Sequence, residues 1–99
     1  LAGLKRVIRD RKLPSFKELT SMSNRTFYTS PRGDNYAQAR YLLYYLQEND
    51  LLRKYYRLFL ANRKIDPTGY RTLQYVLGEK DMAKFQKRWE AYVMKLTFP

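Results

Sequence analysis

Histidine and cysteine are both absent from the sequence. Without them the chain cannot build a Cys/His zinc site, a Ser-His-Asp triad, a cysteine nucleophile or a disulfide framework. Carboxylates are scarce as well, with 9 Asp and Glu against 20 Lys and Arg, a net charge of +11 at pH 7. The four glycines stand apart at positions 3, 33, 69 and 78, so no glycine-rich phosphate loop is present. No apolar run approaches the roughly 20 residues that span a bilayer, and no apolar core follows a basic start as in a secretory leader. The first residue is Leu1 and not Met, which leads us to expect a piece of a longer polypeptide.

What is present is enough for a core. The chain is 99 residues long, 44% hydrophobic and 16% aromatic, too apolar for a disordered tail. That length holds one domain and leaves no room for a second core. Apolar residues recur at helical spacing almost throughout. From Met82 the offsets to Phe85, Trp89, Tyr92, Val93 and Leu96 are 3, 7, 10, 11 and 14, a sustained helical stripe. Leu1, Leu4 and Ile8 share one face of an earlier segment, and Phe16, Leu19 and Met22 another. Tyr36, Ala39, Leu42, Leu43 and Leu46 make a third stripe, on a helix so apolar around its girth that it reads as central. Leu52, Tyr55, Tyr56 and Phe59 make a fourth, and Tyr70, Leu73, Val76 and Leu77 a fifth.

Punctuation sets the boundaries. Leu13-Pro14 ends the first segment, because a residue before proline is driven from the α region. Ser23 to Asn35, with Pro31 and Gly33, reads as the longest loop, pinned by Phe27-Tyr28. Asp34 or Asn35 is placed to cap the third segment, and Asn49-Asp50 to close it and cap the next. Asp66-Pro67 reads as an N-cap followed by a first-turn proline, and Gly78 as a helix stop. The expectation is an all-α fold of five to six helices, near 1–12, 15–22, 35–48, 51–62, 67–77 and 80–96. They would form an orthogonal or antiparallel bundle, the C-terminal subdomain of something larger. Segments 35–60 and 66–96 are both helix pairs, but their residues align at no fixed period, which argues against a repeat array.

The positive charge is spread along the chain. Residues 1–33 hold 8 basic and 2 acidic side chains, and residues 34–99 hold 12 and 7. The densest cluster is Lys5, Arg6, Arg9, Arg11 and Lys12. Basic residues mostly oppose the apolar stripes, as solvated helix faces do, and no zinc-finger, RNA-recognition or helix-turn-helix pattern stands out. Nucleic-acid binding is therefore an alternative resting on charge alone. The ten tyrosines suit base stacking, but Tyr36, Tyr55, Tyr70 and Tyr92 fall on core stripes and Tyr41, Tyr44, Tyr45 and Tyr56 beside them. Core packing, or a large interface, explains them. A dimerising interaction domain is a further alternative. The basic segment at 1–12 could lie on a membrane surface but is short and lacks a bulky aromatic. Among nine carboxylates, Asp34, Asp50, Asp66 and Asp81 each sit where a helix begins, so capping accounts for them.

Asn35-Tyr36-Ala37-Gln38-Ala39, followed by Tyr41-Leu42-Leu43-Tyr44-Tyr45-Leu46, resembles the helix after the metal-ligand segment of gluzincin metallopeptidases. The likeness is greatest to poorly characterised bacterial domains grouped with the peptidase MA-like gluzincins. Lys12-Leu13-Pro14-Ser15-Phe16 and Phe27-Tyr28 resemble the stretch upstream of that helix, while Asp66-Pro67-Thr68, Val76-Leu77-Gly78 and Phe85…Trp89…Tyr92-Val93 resemble the closing helices. The resemblance implies a helical module, inactive alone, that packs against the remainder of its own polypeptide. Zinc would belong to that remainder, held by His-Glu-x-x-His and a later Glu, and this chain would bind none. Relatives often look exported or periplasmic, but a targeting segment that would decide this for the parent would lie outside this chain. One role transfers to a matching position: Tyr36 would stabilise the oxyanion of peptide hydrolysis, with Gln38-Ala39 standing where the aminopeptidase pattern has Lys-Gly.

Overall fold

The computed structural model describes residues 1–29 and 33–97, and among them every regular element is a helix and none a strand. There are seven: α1 (Ala2–Arg9), α2 (Phe16–Ser21), α3 (Asn24–Tyr28), α4 (Asp34–Glu48), α5 (Leu52–Asn62), α6 (Tyr70–Leu77) and α7 (Met82–Lys95). The all-α expectation holds, with one helix more than foreseen. The addition is α3, inside the segment read as a loop. Ser23 accepts a hydrogen bond from the Thr26 amide at 3.1 Å and so caps a five-residue helix that turn-forming composition had hidden. Pro31, which also marked that loop, lies outside the described residues.

Hydrogen-bonding chemistry explains the remaining ends. Ser15 and Glu18 form a reciprocal capping box, amide to side chain at 3.1 Å in both directions, which starts α2 directly after Pro14. Asp81 caps α7 by accepting from Ala83 and Lys84. Three helices finish in the same left-handed wrap, where an amide bonds back to a carbonyl five residues earlier. The pairs are Lys12 to Val7, Leu51 to Leu46 and Glu79 to Gln74. The residue in the left-handed conformation is Gly78 in one case, but Arg11 and Asp50 in the others, with φ of 55° and 57°. Asp50 therefore ends α4 and caps nothing, and α5 starts without a side-chain cap. Asp34 lies within the first turn of α4 behind Gly33, and neither it nor Asn35 caps that helix.

The core forms where α7 crosses α1, α2 and α4. Leu4, Phe16, Leu46, Leu73, Phe85, Trp89 and Val93 are all sealed from solvent. Phe16 sits edge-on to Trp89 at 5.1 Å and tilted against Phe85 at 5.7 Å. Tyr45 wedges between Phe85 and Tyr92 at 5.5 and 5.1 Å. The Trp89 indole N–H donates to the Tyr41 carbonyl at 3.3 Å, so the largest buried ring is polar-satisfied as well as packed. The Pro14 carbonyl accepts two side-chain amides, from Gln38 at 2.9 Å and Gln86 at 3.1 Å. That one oxygen pins the α1–α2 link to both α4 and α7.

Candidate functional site: an aromatic groove between two helices

α4 buries a different face from the one its apolar spacing suggests. Asn35, Gln38, Tyr41, Leu42 and Leu46 point inward, and Tyr36 and Leu43 point out. Two polar side chains rotate the helix. Asn35 donates its amide to the carbonyls of Thr26 and Phe27 at 3.4 and 3.5 Å, which fastens α3 onto α4. Gln38, fully buried, reaches Pro14 as described, while its Oε1 has no partner. The bonds to Thr26, Phe27 and Pro14 hold this face of the helix inward. Tyr36 is thus corrected from core residue to surface residue, 55% exposed, and Tyr41 takes the buried place.

The outward turn creates a groove of about 450 Å³ between α3 and α4, walled by Phe27, Tyr28, Tyr36, Leu43 and Tyr44, with Arg40 at its side. Phe27 and Tyr28 stand edge to face at 5.0 Å, and Tyr28 is 70% exposed. The Tyr44 phenol titrates above its ordinary range, first because it hydrogen-bonds Glu48 and then through that carboxylate's charge. It is engaged on its own helix. Tyr36 offers the groove a phenolic hydroxyl, and Arg40 a guanidinium. Among the described residues, no carboxylate, histidine or cysteine lines the groove.

Elsewhere the carboxylates do structural work. Asp66 is buried, and its carboxylate accepts from the Thr72 amide and the Thr72 hydroxyl, both at 2.7 Å, and from the Arg71 amide at 3.4 Å. The sequence placed Asp66 as the N-cap of a helix starting at Pro67. Instead Pro67 and Thr68 form a turn, Gly69 is the left-handed residue before α6, and Asp66 caps the helix from across that turn. Burial works against its ionisation, but the bonds from Thr72 and Arg71 outweigh that effect and hold it below the usual carboxylate range. Among the described residues no three carboxylates gather as a metal would require. No helix among the described residues is long and apolar enough to cross a membrane.

Comparisons with protein families, with curated proteins and with solved structures returned no match.

Proposed function

We propose that this chain is a helical module, without catalytic activity of its own, that completes the cleft of a zinc-metallopeptidase-like protein formed by the rest of its polypeptide. The observation that carries the reading is the outward-facing aromatic groove around Tyr36. A self-contained domain has little reason to leave Tyr28, Tyr36 and Leu43 exposed in one place, whereas a surface awaiting another domain does. Exposure also leaves the Tyr36 hydroxyl free to reach an anionic oxygen developing on a substrate carbonyl. A donor in that role supplies about 3–4 kcal/mol of transition-state stabilisation. The motif order from Leu13-Pro14-Ser15 to Trp89 supports the same reading.

The reading frame immediately upstream of Leu1 tests the class directly. His-Glu-x-x-His followed by a glutamate supports the proposal, and an initiating methionine there overturns it. In the longer protein, Tyr36→Phe should lower kcat for peptide cleavage by about 10²-fold or more while zinc content and KM stay nearly constant. Unchanged kcat would remove Tyr36 from the chemistry and leave only the packing role.

A basic nucleic-acid interface is a second reading, favoured by the exposed Arg6 and Arg9 of α1 and Lys84 and Lys87 of α7. Lys5 joins these helices by donating to the Leu96 carbonyl. It requires binding of DNA or RNA whose affinity falls steeply as salt rises.

A further inference from the structure

The edge formed by α5 and α6 lies apart from the Tyr36 groove and has its own chemistry. α5 carries Leu52, Tyr55, Leu58, Phe59 and Leu60, yet none of its 11 residues is fully buried. Beside it, Ile65 is 78% exposed and Tyr75 is 70% exposed. The intervening cleft, about 370 Å³, has Leu58, Ile65 and Tyr75 on its walls. It does not end there. Ile65 is shared with a depression that runs along Leu60 to Lys64, and Tyr75 with one that runs past Gly78 to Lys80. The three hollows share lining residues and make a furrow along the α5–α6 edge, apolar at Leu58, Ile65 and Tyr75 and charged towards Lys64 and Lys80.

Its charge is mostly positive, five cations against the carboxylates of Asp66 and Glu79. Lys64, Arg71 and Lys80 border the furrow, and the Lys54 ammonium stands over the Tyr75 ring at 5.7 Å. Both bordering carboxylates are committed elsewhere. Asp66 is turned inward onto Thr72 and Arg71, and Glu79 pairs with Arg88. Cations in excess of the carboxylates around an apolar cleft select a partner that brings both acid and hydrocarbon. A second copy of this chain, itself +11, would set like charges against like. A nucleic acid would bring the charge but would meet aliphatic Leu58 and Ile65, which offer no flat stacking surface, and a Tyr75 ring already covered by Lys54.

We propose that the α5–α6 furrow is the docking site for an acidic amphipathic segment of a protein partner. The partner's apolar side chains occupy the cleft between Leu58, Ile65 and Tyr75, and its carboxylates meet Lys64, Arg71 and Lys80. The site is independent of the cleft-completing role, because it uses no residue of the Tyr36 groove.

Fluorescence anisotropy tests it on the folded chain. The probe is a labelled amphipathic peptide of about 18 residues, roughly five helical turns, with Leu and Ile on one face and Glu elsewhere. Its composition-matched scramble and a labelled oligothymidylate are run in parallel. The expected result is micromolar binding of the amphipathic peptide, weakened by added salt and about tenfold or more by Ile65→Glu. Tyr36→Ala on the other groove should leave it unchanged. Far-UV circular dichroism confirms that each variant, altered only at an exposed position, stays folded. The proposal is overturned if the scramble binds equally, if Ile65→Glu has no effect, or if the oligonucleotide binds more tightly than the peptide. Self-association of the chain through this edge, lost on Ile65→Glu in sedimentation, overturns it too.

Discussion

Replacing Asp66 by alanine should unfold this protein well below its normal melting temperature. The carboxylate holds the start of α6 through the Thr72 amide and hydroxyl, both at 2.7 Å, and more loosely through the Arg71 amide. Thr72 is buried, so alanine at 66 leaves an amide and a hydroxyl without partner or water. Each orphaned group costs about 1–3 kcal/mol, and the effects of neighbours on one carboxylate do not simply add, so the loss should be about 3 kcal/mol. In a domain of this size each kcal/mol moves Tm by about 4–8 °C, which puts the expected shift near 12–24 °C. Asp66→Asn keeps the shape and one acceptor, and should lose about half as much. The ionised form is favoured in the folded state, so this stability is present above about pH 4, where the unfolded carboxyl also ionises. It is lost as pH falls through the lower folded value. Urea titrations of wild type and both variants between about pH 6 and pH 3 would show their midpoints converging in acid. A wild type and Asp66→Ala variant that differ by under about 0.5 kcal/mol at neutral pH would refute the reasoning.

Three further outcomes follow from the same geometry. A Cβ at Gly69 would stand 2.7 Å from the Tyr55 hydroxyl and 2.8 Å from the Phe59 ring, at φ +76°, so Gly69→Ala should cost about 2–3 kcal/mol in urea denaturation. Arg11→Gly should stabilise by about 0.5–1 kcal/mol, because a left-handed residue after α1 no longer carries a side chain; a loss of stability would contradict that account. Burial raises the phenol pKa of Tyr55, with Asp66 adding to it, and burial likewise raises that of Tyr92. Stability from both is therefore complete below about pH 10 and lost as pH rises through their folded values, and Tyr55→Phe should flatten part of that alkaline decline in a thermal-melt series.

The fold was most legible where hydrophobic spacing and burial coincide. Phe85, Trp89 and Val93 of α7 lie on the stripe that period reveals, and all three are sealed inside. α4 was harder, because its inward face begins with Asn35 and Gln38, whose amides are buried for their hydrogen bonds and not for their apolarity. An apolar count assigns such a helix a rotation of about one residue in error, and Tyr36 was misplaced accordingly. Gly78 announced its left-handed turn, but Arg11 and Asp50 adopt the same conformation with side chains that do not signal it. For Asp50 the competing signal, an acid ahead of a helix, pointed to a cap. The Ser15-x-x-Glu18 spacing is a capping-box pattern that the sequence reading passed over, and α3 had no such mark, because Thr26 and not Glu or Gln stands three residues after Ser23. The exposed groove itself had no linear signature, since it depends on which way α4 turns.

The double acceptance at the Pro14 carbonyl bears on how the chain matures as it leaves the ribosome. Its two donors lie 24 and 72 residues away. Phe16 emerges well before the rings that cover it, which belong to Phe85 and Trp89. A nascent chain halted before α7 therefore keeps Phe16 bare, a mark by which chaperones and proteases recognise an unfinished product. Synthesis of α7 covers Phe16 and ends that vulnerability in one step.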